Sequence, residues 1–290
     1  MKNDRLVSWG IFILLCIIWG SSFILMKASK VDLTWAQIAS LRIFSAGVVM
    51  LPFAFFYFSK IPKQKLPLVI LSAICGNLLP AYLFALAIAK DLDSGIAAIL
   101  NSLTPICVVI TGVIFFSSQI AARKIIGVIV GFIGLTLLTI AGKKGMSFEN
   151  LEYTLLVLAA TILYGFNVNI VSHYLKDINP IHLAVVSISF MLIPTSIVLW
   201  QTHFLELSFD DSDVLLAILN SVMLGIAGTA IATLLFYVLV KKAGGLFASL
   251  VTYGIPFIAL AWGFYFGENI TVLQIGGLGI ILSGVYLANR

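Results

Sequence analysis

One charged side chain lies well inside an apolar stretch of this 290-residue sequence and carries its strongest chemical signal. Arg42 follows Trp35 by seven residues, within a run that has no other charge as far as Phe58. A guanidinium offers a fork of N–H donors that suits a carboxylate or a phosphate, so Arg42 is a candidate anchor for an anionic group. The alternative is a structural role, in which the charge snorkels towards water or its donors bind backbone carbonyls.

The other candidate binding residues are uncharged and stand in otherwise apolar segments. Their side chains can line a polar cavity, whereas a helix surface that faces lipid would avoid them. They are Trp19, Ser22, Asn77, Tyr82, Asn101, Thr104, Tyr164, Asn167, Thr233, Tyr237, Thr252 and Tyr253. The alternative for each is an interhelical hydrogen bond worth about 0.6 kcal/mol. With Arg42 they predict a binding site for a small organic solute, and amino acids or related amphipathic metabolites are the substrate class that fits.

No pattern for a metal, a cofactor or covalent catalysis accompanies these residues. The three histidines, His173, His182 and His203, stand apart at or beyond the ends of apolar runs, so no haem, zinc or hydrolytic site is expected. Each of the three cysteines is embedded in an apolar run and is expected to be a small packing residue. No Asp, Glu or His lies inside a run, which favours exchange or downhill export over proton coupling.

The elements that position these residues must be membrane spans. Of the residues, 61% are apolar and only 10% are charged, whereas soluble domains have about 45–50% and 25%. Because a helix needs about 20 apolar residues to cross a bilayer, cutting the runs at their charges gives ten spans. They are predicted at 6–26, 35–58, 66–89, 95–117, 125–141, 151–172, 181–200, 214–240, 246–267 and 272–288.

The charges in the loops predict the orientation of these spans. An even number of spans places both termini on one side, and the termini and even-numbered loops carry eleven Lys and Arg residues against five in the odd-numbered loops. Basic loops stay in the cytoplasm, so both termini are predicted to be cytoplasmic. The expected location is the cell membrane, which is the inner membrane in a bacterium. The net charge of +5 is thereby explained without a nucleic-acid partner.

Sliding the sequence against itself by 151 positions aligns identical residues across two halves. The pairs are Leu83 with Leu234, Lys90 with Lys241, Ala97 with Ala248, Pro105 with Pro256, Gly112 with Gly263 and Phe115 with Phe266. With a slip of one residue, Gly127 and Gly134 align with Gly277 and Gly284. Because a repeat of five spans is odd-numbered, the second copy, 146–290, must be inverted relative to the first, 1–145. Secondary transporters often have this design, with the substrate near the midplane.

Several of these residues also form a pattern in order along the chain. They are Trp19, Gly20, Ser21, Ser22, Phe23 and Lys27, then Arg42, the helices of Pro105 and Pro256, and Gly267 with Glu268. In this order they resemble the EamA-type members of the drug/metabolite transporter superfamily, and the resemblance covers the whole chain. It implies an all-α integral membrane protein whose ten transmembrane helices form two inverted five-helix repeats around a central pathway. The first half has Ser117 where that family often has a second glutamate.

The sequence therefore predicts a secondary transporter, not an enzyme, that exports a small organic solute by alternating access. Its partners are the small-molecule substrate and the lipid bilayer, and no cofactor or metal is expected. Glycines at 127, 131 and 134, and Gly279 with Ser283, make close-packing faces that suit either a homodimer or a monomer packed internally. The alternative function is a membrane-embedded enzyme or lipid-handling factor, for which Asp210, Asp211 and Asp213 are the nearest carboxylate cluster.

Overall fold

Helices make up nearly all of the structure, a computed structural model that describes residues 2–29, 33–90, 92, 97, 100–141, 151–265 and 271–289. The first half contains α1 (Lys2–Ser29), α2 (Trp35–Tyr57), α3 (Leu66–Ala73), α4 (Leu79–Ala89), α5 (Thr104–Phe116) and α6 (Ala122–Ala141). The second half contains α7 (Leu151–Tyr174), α8 (Pro180–Phe190), α9 (Leu192–Gln201), α10 (Ser212–Gly225), α11 (Ala232–Ala243), α12 (Gly245–Ser249), α13 (Val251–Tyr265) and α14 (Val272–Asn289).

Eight helical stretches in the described part of the chain are long and apolar enough to cross a membrane. Their outer surfaces carry bare apolar side chains such as Phe55, Phe56 and Trp200, the last of them 82% exposed. Such a surface suits lipid, and the all-α membrane fold predicted from composition is confirmed. Two further predicted spans correspond to the 13-residue α5 and to the 20-residue α6. The count of ten stays a prediction.

Two of the long helices contain a wide π-helical turn. One turn spans Ile74–Leu78, between α3 and α4, and the other spans Ile226–Ile231, between α10 and α11. Asn77 in the first turn and Gly228 in the second are 151 positions apart, so the two turns are equivalent in the two repeats. A π-helical turn loosens the backbone hydrogen bonding locally, and such turns occur frequently at functional sites.

Another equivalent pair of spans is interrupted near its polar residues. The helix predicted at 95–117 has a turn at Ser102 and Leu103, and α5 begins only at Thr104 with Pro105 in its first turn. Proline fits there because the first helical N–H groups have no intrahelical partner. In the second half, Leu250 separates the short α12 from α13. Both interruptions lie next to polar residues, Ser102 and Thr104 in the first half and Ser249 and Thr252 in the second.

Backbone contact between glycines joins α6 to α14. A Cβ added to Gly284 would lie 2.3 Å from the backbone nitrogen of Gly131 and 2.6 Å from the carbonyl oxygen of Gly127. Farther along, a Cβ on Gly134 would lie 2.9 Å from the carbonyl oxygen of Gly277. Only glycine permits this approach. We call this contact the glycine seam.

The direction of the glycine seam shows how the repeats are related. Gly127 meets Gly284 while Gly134 meets Gly277, so the residue numbers run in opposite directions and the two helices are antiparallel. In the repeat alignment, Gly127 is equivalent to Gly277 and Gly134 to Gly284. Exchanging the two repeats therefore turns the first contact, between Gly127 and Gly284, into the second, between Gly277 and Gly134, as in an interface with two-fold symmetry. Equivalent helices that run antiparallel are what an inverted repeat requires.

The glycine seam also accounts for part of the predicted close-packing faces. The glycines at 127, 131 and 134 are occupied by contacts inside the chain. A Cβ on Gly279 would meet nothing within 4 Å, and Ser283 is exposed. A homodimer therefore does not need the face of α6, and the choice between monomer and homodimer stays a prediction.

Candidate functional site

A central cavity of about 130 Å³ lies between the two halves of the chain. One water molecule needs about 10–15 Å³ on the same measure, so the space suits a solute of roughly ten water-sized groups. Eleven of the thirteen predicted binding residues line it. These are Trp19, Ser22, Arg42, Asn77, Asn101, Thr104, Tyr164, Asn167, Thr233, Tyr237 and Thr252.

Both repeats contribute equivalent positions to this central cavity. Asn101 and Thr252, 151 positions apart, both line it beside the interruptions of their helices. Asn77 and Gly228 do so from the two π-helical turns. The cavity is therefore placed where four broken helices meet between the halves, which is the arrangement that binds solutes in inverted-repeat transporters.

Arg42 lies in the wall of the cavity with part of its hydrogen-bonding capacity used. Its Nε donates to Oγ1 of Thr229 at 2.8 Å, and its Nη2 makes a long contact of 3.4 Å to the carbonyl oxygen of Gly228. Among the described residues, no carboxylate pairs with Arg42 and no group accepts from its Nη1. These bonds hold the guanidinium in place, and they leave its charge available to an anion.

Gly228 shows what the π-helical turn supplies to the site. Its carbonyl oxygen accepts a hydrogen bond of 3.0 Å from Nε1 of Trp19, in addition to the contact from Arg42. The indole ring packs against Phe236, with 5.6 Å between ring centroids. The turn thus holds the indole ring and the guanidinium in one part of the cavity wall, across the boundary between the two halves.

Uncharged polar groups form another part of the lining. Thr233 donates a hydrogen bond of 3.0 Å to Oδ1 of Asn77, and the hydroxyl of Tyr237 lies 3.4 Å from Oδ1 of Asn167. The amide of Asn167 packs so closely on Gly76 that a Cβ there would lie 2.3 Å from its Nδ2. Both hydrogen bonds join different helices, and amides and hydroxyls can donate or accept towards a neutral polar group.

Two predicted binding residues, Tyr82 and Tyr253, do not line the cavity. The hydroxyl of Tyr82 shares a hydrogen bond of 2.5 Å with Ser40, and its ring packs edge-on against Trp35. Tyr253 is fully buried and donates a hydrogen bond of 2.8 Å to the carbonyl oxygen of Val128. Both tyrosines serve helix packing in this structure.

Residues without a polar side chain complete the lining. No pattern in the sequence distinguishes them, because glycines, aromatic residues and aliphatic residues are common throughout membrane helices. They include Gly76, Phe84, Gly228, Phe236 and Ile255. Of these residues, Gly228 could have been predicted from the sequence, because it is the repeat equivalent of the predicted binding residue Asn77.

The remaining predicted features lie away from the cavity. Asp211 caps α10, because its side chain accepts a hydrogen bond of 2.9 Å from the backbone N–H of Asp213. Among the residues that the structure describes, no three His, Cys, Asp or Glu side chains are grouped so that they could hold a metal ion. Gly267, Glu268 and the side chains of Phe23 and Lys27 lie outside the described residues.

Comparison with known proteins matches the chain along nearly its whole length. The EamA-like transporter family matches residues 8–140 and again residues 152–290. An uncharacterized transporter of Archaeoglobus fulgidus is 28% identical over 285 residues, which cover 97% of this chain and 98% of that protein. A crystal structure described only as that of a protein has a TM-score of 0.73, covers 99% of this chain and 96% of its own, and is 15% identical. That likeness shows the fold alone.

Proposed function

The chain belongs to the EamA-like transporter family, and we propose that it is a secondary transporter that exports a small organic solute by alternating access. The observation that carries this proposal is the central cavity, which both repeats line at equivalent positions such as Asn101 and Thr252. Inverted repeats can exchange their conformations, and a solute between them is then exposed to each side of the membrane in turn.

The substrate we propose is an amphipathic metabolite with a carboxylate, such as an amino acid. Arg42 offers a positive charge with no carboxylate partner among the described residues, and it suits a carboxylate at one end of the solute. Amides and hydroxyls suit neutral or amino groups, and the rings of Trp19, Phe84 and Phe236 suit an apolar side chain. A solute with several phosphates would need more positive charges than this lining contains.

We propose exchange or downhill movement as the mode of coupling. The lining residues of the central cavity include no Asp, Glu or His in the described part of the chain. Proton-coupled carriers use such groups within the membrane to bind and release the proton. Export by exchange needs only that the solute on the other side of the membrane binds the same cavity.

Transport by the purified protein tests this proposal. Proteoliposomes loaded with unlabelled amino acids should take up labelled amino acids faster than empty liposomes do, and the corresponding methyl esters should compete poorly because they lack the carboxylate. Movement of no solute in a panel of amino acids and related metabolites would contradict the transport proposal. A metal-dependent turnover that is lost on Asp210→Asn would instead favour the membrane enzyme.

We propose that both termini are cytoplasmic in a cell membrane, and labelling tests this orientation. Lys63 lies between α2 and α3, and Asp211 lies at the start of α10, at loops predicted on opposite sides. In a background without the native cysteines, Asp211→Cys should react with an impermeant thiol reagent on intact cells and Lys63→Cys only after the cells are opened. Reaction of Lys63→Cys on intact cells would reverse the proposed orientation.

A further inference from the structure

A second cavity, of about 380 Å³, lies where α7 ends, α8 begins and α11 ends. We call it the inner cavity, since the loops around it are proposed to be cytoplasmic. Its lining includes Ser172, Lys176, Leu183, Lys241 and Gly244. None of these residues belongs to the lining of the central cavity.

Tyr237 is the one described residue that lines both cavities. Its side chain is only 1% exposed, and its hydroxyl faces Oδ1 of Asn167 in the central cavity at 3.4 Å. It stands six residues before the end of α11, which is about 9 Å of helix. The ring of Tyr237 therefore borders both spaces.

The rest of the partition is closed by tight helix packing. A Cβ on Gly245 would lie 2.7 Å from Cγ1 of Val168, so α12 is pressed against α7 beside Tyr237. Gly244, which precedes α12, has a φ of 88°, a conformation that side chains with a Cβ rarely adopt. Because α12 and α7 are in close contact at Gly245 and Val168, displacement of the Tyr237 ring is the change by which we expect the two cavities to join.

The charges around the inner cavity are mostly positive. Lys176 and Lys241 line it, and Nζ of Lys241 donates to the carbonyl oxygen of Ile178 at 3.3 Å. The neighbouring carboxylate, Asp177, forms an ion pair with Lys65, and this hydrogen bond, helped by the charge of Lys176, holds its pKa below the usual value. With Asp177 paired to Lys65, the charges of Lys176 and Lys241 are left in excess in the described lining, and excess positive charge attracts anions.

We propose that the inner cavity is the vestibule in which an anionic solute, here a carboxylate, collects from the cytoplasm, and that Tyr237 is the gate between this vestibule and the central cavity. The proposal rests on the proposed transport function, because it gives the solute a route from Lys176 and Lys241, past Tyr237, to Arg42. Positive charge stands at both ends of the route, and the neutral ring of Tyr237 stands between them.

Cysteine labelling from the inner face tests the gate. Ser249 lines the central cavity and is 2% exposed, so Ser249→Cys in a background without native cysteines reports access to that space. In inside-out vesicles, Tyr237→Ala should speed its reaction with a small impermeant thiol reagent about tenfold or more, because a minor open state is typically populated at about 10% or less. Reaction at Ser172→Cys, in the inner cavity, should not change.

Matched variants separate gating from loss of folding. Tyr253→Ala removes another fully buried, hydrogen-bonded tyrosine that lines neither cavity, and it should leave labelling of Ser249→Cys unchanged. Tyr237→Leu also leaves a smaller side chain between the two cavities. It is the variant to measure if Tyr237→Ala does not fold. If Ser249→Cys reacted at the same rate in the protein with Tyr237 and in a folded Tyr237 variant, Tyr237 would not be the gate.

Labelling with reagents of opposite charge tests whether the vestibule attracts anions. Combined Lys176→Gln and Lys241→Gln should slow labelling of Ser172→Cys by a sulfonate reagent about tenfold, without slowing a trimethylammonium reagent of similar size. Lys60→Gln with Lys63→Gln, a pair proposed on the same face but outside the cavity lining, should change neither rate. If the labelling rate fell equally with both reagents, or did not fall with either, the inner cavity would not be a vestibule for anions. These rates need no substrate, so they stand or fall separately from solute uptake.

Discussion

Arg42→Gln should lower transport of a carboxylate solute by about 30-fold to 1,000-fold in kcat/KM, as expected when one partner of a buried charge pair worth about 2–4 kcal/mol is removed. The reason is that, within the described cavity lining, Arg42 brings the one positive charge. Uptake by proteoliposomes that contain equal amounts of folded protein measures the effect.

Arg42→Lys is the matched variant, since it keeps the charge but loses the planar fork of donors. It should fall between the wild type and Arg42→Gln in apparent affinity. If Arg42 instead only secures the second π-helical turn through Thr229 and Gly228, both variants would lower thermal stability and leave the affinity of the surviving protein unchanged. That outcome would remove the binding role.

Gly284→Ala should destabilise the protein by about 1–3 kcal/mol, the usual cost of forcing extra atoms into a packed interior. The added methyl would lie 2.3 Å from the backbone nitrogen of Gly131, and a backbone cannot move aside as a flexible side chain can. Thermal unfolding in detergent, followed by loss of monodisperse protein, measures the change.

Gly279→Ala is the control for this effect because it makes the same substitution in the same helix. A Cβ at Gly279 meets nothing within 4 Å, and alanine favours a helix over glycine by up to about 1 kcal/mol. The control should therefore unfold at the wild-type temperature or above it. If both variants lost stability equally, the close approach of α6 and α14 would be wrong.

The sequence predicted the membrane fold and most of the polar lining of the central cavity because both depend on polarity. A polar side chain among apolar neighbours is costly in lipid, so most such residues point inwards, and eleven of thirteen reached one cavity. The polarity of a residue does not show, however, which way its side chain points around the helix axis. Tyr253 follows Thr252 directly, and adjacent residues point about 100° apart, so only Thr252 lines the cavity.

Local backbone geometry was the part that the sequence did not reveal. The π-helical turns at 74–78 and 226–231 consist of residues that also suit an ordinary helix, and no residue type marks the wider turn. They form where packing between helices favours them. The late start of α5 had a clearer signal in Pro105, since a proline without an N–H fits the first turn of a helix better than its middle.

The glycine seam and the cavity differ in how far the two halves have diverged, and this difference shapes the transport cycle. In the glycine seam, Gly127 and Gly134 correspond to identical glycines, Gly277 and Gly284. In the lining of the central cavity, Asn77 corresponds to Gly228, and the predicted span 181–200, the equivalent of the span with Arg42, contains no Lys or Arg. Identical residues where the halves pack together allow each half to adopt the conformation of the other. Different residues in the cavity lining give the inward-open and outward-open states different energies. If the protein works by the proposed alternating access, we expect the empty carrier to favour one side and an asymmetric solute to bind in one orientation.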